Sequence, residues 1–427
     1  MKQNGTLFPV TQVGSWPRSR NLLKALRDKQ HERISQEEFD AVADKEAERC
    51  IQYQLKADVD IMVEGEHHRD NFYSFLTDKL NGTKLMSLAD MLDTVENKES
   101  FEEMLDTLDV PASLIKNPTC VGKLSRRKPL TLDDYNFVRK FTDKPVKITL
   151  PGPYLLTRSM WVGAYSKAGY DSKTEMAEDI VKILREELAD LQAAGCSFVQ
   201  FDEPVLTEIV MSEDCDRRTF MWATLATRSD ADTELQYAAD LINKVVEGFD
   251  GIRTGIHVCR GNWSRDDNTL LSGDYEPLVP AFQKMNVDQF VLEFATPRAG
   301  DIAVVGKALS HKELGLGVIN PRTDDIESVE FIVQKVEEAL KYYSPDKIFL
   351  NTDCGFGCFA ERCVNDEQNA FEKIRQMVNA ARILRKKYAW TYLKEVHDWK
   401  KVKEISGRYL LFFLLNIWII SSILQII

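Results

Sequence analysis

His257 and Cys259 stand two apart in the run GIHVCR, and in an extended strand that spacing sends both side chains to one face. Imidazole and thiolate are both metal ligands. With Glu293 and Cys354, each closing another apolar run, they make a set of borderline softness that favours zinc. An H-x-C pair alone better describes a hydrogen-bonded core histidine beside an inert cysteine; the two further ligand types at strand ends reverse that preference. A structural zinc on Cys354, Cys358 and Cys363 competes for the last of the four, although C-x3-C-x4-C is not a usual knuckle spacing. The chemistry such a site offers is alkylation at sulfur. A free thiol is mostly protonated at neutral pH while the thiolate is the nucleophile, and coordination to zinc removes that proton but leaves sulfur electrons available for attack.

Those four residues must be carried by something rigid. Short β-rich runs lie at Leu7–Val13, Val59–Val63, Val146–Leu150, Ser197–Phe201, Thr254–Val258, Gln289–Leu292, Leu314–Val318 and Ile348–Leu350, separated by stretches of helical periodicity. One such stretch aligns Met176, Ile180, Ile183, Leu184, Leu188 and Leu191; a second aligns Ile326, Val329, Val333, Val336 and Leu340; a last helix covers Phe371–Lys387. The alternation predicts an α/β fold, a single (β/α)8 TIM barrel with an inserted excursion after strand 2 and an apolar C-terminal tail. A doubly wound open sheet is the runner-up, but no Gly-rich phosphate loop follows the first strand. Within the excursion at Glu66–Lys144, Ser113–Lys116 and Val121–Leu124 are expected to form a hairpin around Asn117-Pro118. At the C-terminal strand ends stand Gly14-Ser15, Glu64-Gly65-Glu66, Pro151-Gly152-Pro153, Asp202-Glu203-Pro204, His257-Val258-Cys259, Glu293, Asn320 and Asp353-Cys354-Gly355. Barrel enzymes do their chemistry at that face.

A net charge of -12 argues against a nucleic-acid surface. Hydrophobic residues at 44% and charged residues at 29% suit a globular chain with a sizeable core. With no signal-peptide pattern at the start, the eight cysteines suggest metal ligands or buried thiols in a reducing cytoplasm rather than disulfides. The barrel is expected over residues 1–390 and an extension over 391–427. The stretch YLLFFLLNIWIISSILQII at 409–427 carries no charge and follows the basic KKVKEISGR. It is near the roughly 20 residues that cross a bilayer, and its flank suits a cytoplasmic side. A tail anchor, an amphipathic or oligomerising helix and a non-native extension are its three readings.

TQVGSWPR (Thr11–Arg18), VEGEHHRDNF (Val63–Phe72), FDEPVLTE (Phe201–Glu208), HVCRGNW (His257–Trp263) and NTDCGFG (Asn351–Gly357) together resemble the cobalamin-independent methionine synthase family, in particular its short single-barrel branch. The resemblance runs over about Phe8–Lys387 and fits the wider barrel superfamily that includes uroporphyrinogen decarboxylase. It implies a Zn2+ held by His257, Cys259, Glu293 and Cys354, a carboxylate subsite at Gly14 and Ser15, and homocysteine-binding carboxylates at Glu66, Asp202 and Glu208, with Asp202 on the ammonium group. The competing and less favoured reading of Asp202 and Glu203, which end a strand before a proline, is a turn-capping pair. The implied activity is methyl transfer to homocysteine, of the 5-methyltetrahydropteroyltriglutamate-homocysteine S-methyltransferase type, with a methylfolate or a methyl-corrinoid protein as donor. The chain departs from the full-length enzymes by lacking their N-terminal barrel. Asn320 and Arg322 stand where the family has a proton-donating histidine, and Trp161 and Cys120 do not align with the folate contacts. Epoxyalkane:coenzyme M transferases are the alternative, but a sulfonate would call for cations where Glu66 and Asp202 stand. A non-catalytic zinc protein tethered by its tail is the third class.

Overall fold

The computed structural model describes residues 6–91, 116–211, 229–262, 264–265, 270–357 and 365–396. The chain divides into two units, Met1–Ala381 and Arg382–Ile427. The described part of the second, residues 382–396, is helical. The apolar stretch 409–427, Cys215, Cys358 and Cys363 lie outside the described residues. Among those described, no helix is long and apolar enough to cross a membrane.

In the first unit an antiparallel pair, β1 (Leu80–Ser87) and β2 (Lys116–Arg126), precedes six parallel strands. These are β3 (Lys147–Pro151), β4 (Phe198–Asp202), β5 (Arg253–Val258), β6 (Gln289–Glu293), β7 (Glu313–Ile319) and β8 (Ile348–Thr352), hydrogen-bonded in that order. Two short extended segments close the ring. The Val10 segment joins β8 (Leu350 N–H to Pro9 O, 2.9 Å; Thr11 N–H to Leu350 O, 3.0 Å) and also accepts from Ile61 N–H at 3.1 Å. The Met62 segment joins β3 (Met62 N–H to Pro145 O and Lys147 N–H to Met62 O, both 2.8 Å). The result is a barrel of the (β/α)8 type, in which six strands are closed by two bridging segments.

The two closing segments are single bridges at Val10 and Met62 rather than the strands expected over Leu7–Val13 and Val59–Val63. Side chains explain the difference by taking over ladder positions. Asp60 Oδ2 accepts from Val10 N–H at 2.8 Å. Gln54, from the helix Gln36–Ala57, accepts from Val63 N–H at 3.0 Å and donates to Val63 O at 2.8 Å. These backbone groups are satisfied by side chains, so the ladder does not extend beyond the single bridges.

The excursion also differs from expectation. Val121–Leu124 is strand, but its partner is Leu80–Ser87, and Asn117-Pro118 lies inside β2 opposite Leu85 and Met86 instead of turning the chain. Residues 113–115 fall outside the described set. The expected face of the helix Lys173–Ala193 is buried as predicted. The later helix, Val329–Ala339, begins after Ile326 because Ser328 accepts from Phe331 N–H and caps it there. Ile326 is therefore exposed, and Ile332, Val336 and Ala339 form the buried face.

The excursion is anchored through one buried acid on the helix Lys173–Ala193. Glu187 accepts from Leu130 N–H (2.6 Å), Thr131 N–H (2.7 Å) and Thr131 Oγ1 (2.9 Å), and pairs with Arg126 of β2 at 3.2 Å. A Glu187→Ala protein would bury these donors without acceptors. It is expected to lose about 3–5 kcal/mol of unfolding free energy, read by urea denaturation; a loss below 1 kcal/mol would show that the anchor contributes little.

Candidate active site

The barrel ladder sets the levels of its interior. Ile61, Phe198 and Phe349 pack together at the floor. In register above Phe198 come Gln200 beside Thr149 and Gly255, then Asp202 beside Pro151 and His257. Cys259 follows β5 directly, Glu293 ends β6, and Cys354 lies two residues past β8.

The ligand atoms of His257, Cys259 and Cys354 lie within 4.8 Å of one another, and all three residues are buried. The His257 Nδ1–H donates to Val291 O at 3.2 Å, which fixes the ring and leaves Nε2 buried without a hydrogen-bond partner. An imidazole anchored through one nitrogen with the other free is the arrangement of a metal-ligating histidine. A hydrogen bond from the Cys354 thiol and the charge of the adjacent His257 hold the Cys259 thiol down to about 5 against its burial. Buried inert thiols do the opposite: burial raises Cys196 to about 12. The donor set therefore fits a thiophilic cation.

Glu293 is not within that group of three. Its Oε1 accepts from Arg260 N–H at 2.9 Å and from the Asn262 amide, and Oε2 lies 3.5 Å from Arg298 Nη2 and 3.7 Å from Arg260 Nη1. The Arg260 guanidinium sits 4.1 Å over the Tyr275 ring, and the Tyr275 hydroxyl accepts from Glu293 N–H at 3.0 Å. Asp353 braces the other side. Its Oδ1 accepts from Phe294 N–H and Ala295 N–H at 3.0 Å each, while burial, with the Glu293 charge beside it, pushes its carboxyl up to about 8. Only a glycine fits at 317, since a Cβ there would stand 2.2 Å from Asp353 Oδ1.

Across the mouth, the Gly14-Ser15 segment is tied to the loop that follows Cys354. Phe356 N–H donates to Ser15 O (3.0 Å) and Gly357 N–H to Ser15 Oγ (3.2 Å). Gly14 packs against Glu66 so closely that a Cβ would meet Glu66 Oε1 at 2.5 Å. Glu66 holds a left-handed backbone (φ 61°), a conformation that costs a non-glycine residue of order 1 kcal/mol or more and clusters at functional sites. Its Oε1 accepts from Thr149 Oγ1 at 2.9 Å, whereas Oε2 is buried without a hydrogen-bond partner. Burial pushes the Asp202 carboxyl up to about 7.

Asp202 and Glu203 have separate duties. Glu203 is the capping residue: its oxygens accept from Tyr154 N–H (2.7 Å) and Leu155 N–H (2.9 Å) at the start of the helix Pro153–Met160. Asp202 instead faces the interior, where Gln200 Nε2 donates to its Oδ1 at 2.8 Å. Glu208 is fully buried in the helix Val205–Met211. Asn320 Oδ1 accepts from Arg322 N–H at 3.0 Å and Arg322 Nε donates to Ser264 O at 2.8 Å, so both side chains are engaged with backbone groups. Glu64, His68 and Asp134 form a second close group. There both ring nitrogens are engaged, Nδ1 with Glu64 at 3.2 Å and Nε2 with Asp44 at 3.0 Å. Burial opposes the imidazole's charge, but Glu64 outweighs it and holds His68 up to about 9, which makes an ion-pair cluster.

Sequence reasoning missed Gln200 and Lys147. The i, i+2 spacing of Gln200 and Asp202 was a usable signal for the first. A lone lysine in KITLP gave none for the second.

The chain matches the family described as the catalytic domain of cobalamin-independent synthase over residues 8–242 and 250–383. The chain belongs to this family. The methionine synthase of Pyrococcus abyssi is 28% identical over 381 residues, spanning 89% of this chain and 94% of that protein. That of Thermococcus kodakarensis is 26% identical over 384 residues, 90% and 95% of the two chains. The solved B12-independent methionine synthase of Shewanella sp. W3-18-1, in complex with selenomethionine, superposes with a TM-score of 0.66 at 24% identity, covering 90% of this chain and 99% of that one. Membership makes this chain a methyltransferase of the methionine synthase type. A cobalamin-independent family gives no support to a corrinoid protein as methyl donor.

Proposed function

We propose that this protein transfers a methyl group to the thiol of homocysteine, forming methionine, with zinc as its metal. The observation that carries the reading is one barrel mouth that joins a buried His257–Cys259–Cys354 group, with an orphaned His257 Nε2, to buried acids at Glu66 and Asp202. His257, Cys259 and Cys354 would hold the metal, with Glu293 as fourth ligand. When bound, zinc supplies acidification of the substrate thiol and leaves the sulfur nucleophilic at neutral pH. The protein's own residues orient the acceptor. Asp202 binds the α-ammonium group, Glu66 offers its unpartnered Oε2 to the same cation, and the Gly14-Ser15 turn receives the α-carboxylate, with Glu208 as a further wall of the pocket. Thiol and methyl carbon held in line gain most of their acceleration from proximity. The free thiols Cys50, Cys120, Cys196, Cys259 and Cys354 suit a reducing cytoplasm. A methylfolate is the donor that fits a cobalamin-independent family.

Among the described residues, the acids Asp202 and Glu66 stand where a sulfonate would call for cations, which disfavours a sulfonate thiol of the coenzyme M type. The test is metal analysis of the purified protein with a thiol-acceptor screen under a methylfolate. One zinc per chain and methionine formation are expected. Turnover of other thiols without homocysteine would overturn the acceptor, and full activity after exhaustive chelation would overturn the metal.

A further inference from the structure

Beneath the proposed amino-acid clamp lies a buried polar chain that the reaction as described does not use. Lys147 enters the barrel from β3, 1% exposed, and its Nζ donates to Gln200 Oε1 at 2.8 Å. Gln200, fully buried, has its amide sense fixed by that bond, because only the oxygen can accept from an ammonium. The amide nitrogen must then face upward. Its two hydrogens go to Asp202 Oδ1 at 2.8 Å and to Val13 O at 3.2 Å. Val13 immediately precedes Gly14, so one amide group touches both halves of the clamp: the turn proposed for the carboxylate and the acid proposed for the ammonium.

We infer that Gln200 is a positioning residue that fixes the spacing between the carboxylate and ammonium subsites, and that Lys147 serves it by locking the sense of its amide. The inference rests on the amino-acid clamp proposed above. With Oδ1 held by Gln200, Asp202 presents Oδ2 to the substrate. The Val13 carbonyl, held by the same group, cannot drift away from it. Lysine suits the lower position because in its charged form it donates and cannot accept, and then does not tolerate a flipped amide. Burial holds Lys147 down to about 7, with Asp202 and Glu66 acting to keep its charge.

Two variants separate positioning from packing. Gln200→Glu keeps the volume and still accepts from Lys147, but in its ionised form can donate to neither Asp202 nor Val13. Lys147→Met keeps the length and frees the amide to flip. Calorimetry on the metal-loaded protein would compare L-methionine with 4-(methylthio)butanoate, which lacks only the ammonium group. The wild-type protein should bind L-methionine at least about tenfold more tightly. In both variants the Kd for L-methionine should rise about tenfold or more, Gln200→Glu the further, while the Kd for 4-(methylthio)butanoate, the zinc content and the melting temperature change little. Wild-type affinity for L-methionine in both variants overturns the inference and leaves the clamp standing. Equal wild-type affinity for the two ligands overturns the clamp itself. Joint loss of metal, melting temperature and both affinities overturns the inference, since Gln200 and Lys147 would then be scaffold alone.

Discussion

A Cys354→Ser protein is expected to keep its fold and to lose the zinc proposed to bind there together with about 100-fold or more of its turnover. Serine is nearly isosteric with the buried cysteine, so packing changes little; what changes is the donor. A hydroxyl stays protonated at neutral pH and is a hard ligand, whereas zinc sites are built on thiolates and imidazoles. Cys354 also hydrogen-bonds the Cys259 thiol and helps hold it down to about 5. The substitution therefore weakens two ligands at once. Metal content by mass spectrometry and turnover with homocysteine check the expectation. Unchanged zinc and unchanged rate would remove the metal assignment, while a melting temperature lowered by more than a few degrees would point to packing instead. Chelation of the unmodified protein should reproduce the loss, and added zinc should reverse it.

The second large effect is expected from Asp202→Asn. The Gln200 amide hydrogen is aimed at Oδ1, so an asparagine must turn its oxygen down to accept it. Its NH2 group then takes the place of Oδ2 and meets the substrate's ammonium, donor against donor. Charge-assisted hydrogen bonds are worth about 1.5–3 kcal/mol, and kcat/KM for homocysteine should fall about 10- to 100-fold or further, mainly through KM. Thermal stability should not fall with it. Burial pushes the Asp202 carboxyl up to about 7, so the folded interior already opposes its charge, and an amide removes that opposition. A variant with wild-type KM would sink the role of Asp202. A variant with both low activity and a collapsed melting temperature would assign the acid to folding.

Much of the barrel was legible because its signal is local. Each of the six parallel strands falls within a residue or two of an expected β-rich run, and the helix Lys173–Ala193 buries the face its periodicity marks. Misreadings arose where a distant partner overrides local pattern. Asp60 and Gln54 replace ladder neighbours at Val10 and Val63, and β2 pairs with residues 29 to 46 positions upstream instead of folding back at Asn117-Pro118. The helix expected from Ile326 starts later because the Ser328 cap sets its beginning.

The site divides along the same line. Sequence by itself determined residue type and strand parity: His257 and Cys259 on one face of β5, and carboxylates and a further thiol at the ends of other strands. Those are properties of a two-residue period and of ligand chemistry, and they need no third dimension. Tertiary structure alone decided which groups meet. It gathered His257, Cys259 and Cys354 within 4.8 Å and held the Glu293 oxygens on Arg260 and Asn262. It also separated Asp202 from Glu203, giving one to the interior and the other to a helix cap. Ring closure brings residue 14 beside residue 66 and residue 15 beside residue 357, and the pairing of β3 with β4 brings Lys147 under Gln200. These contacts join positions tens to hundreds of residues apart, and the local pattern of a chain carries no record of them until the barrel shuts.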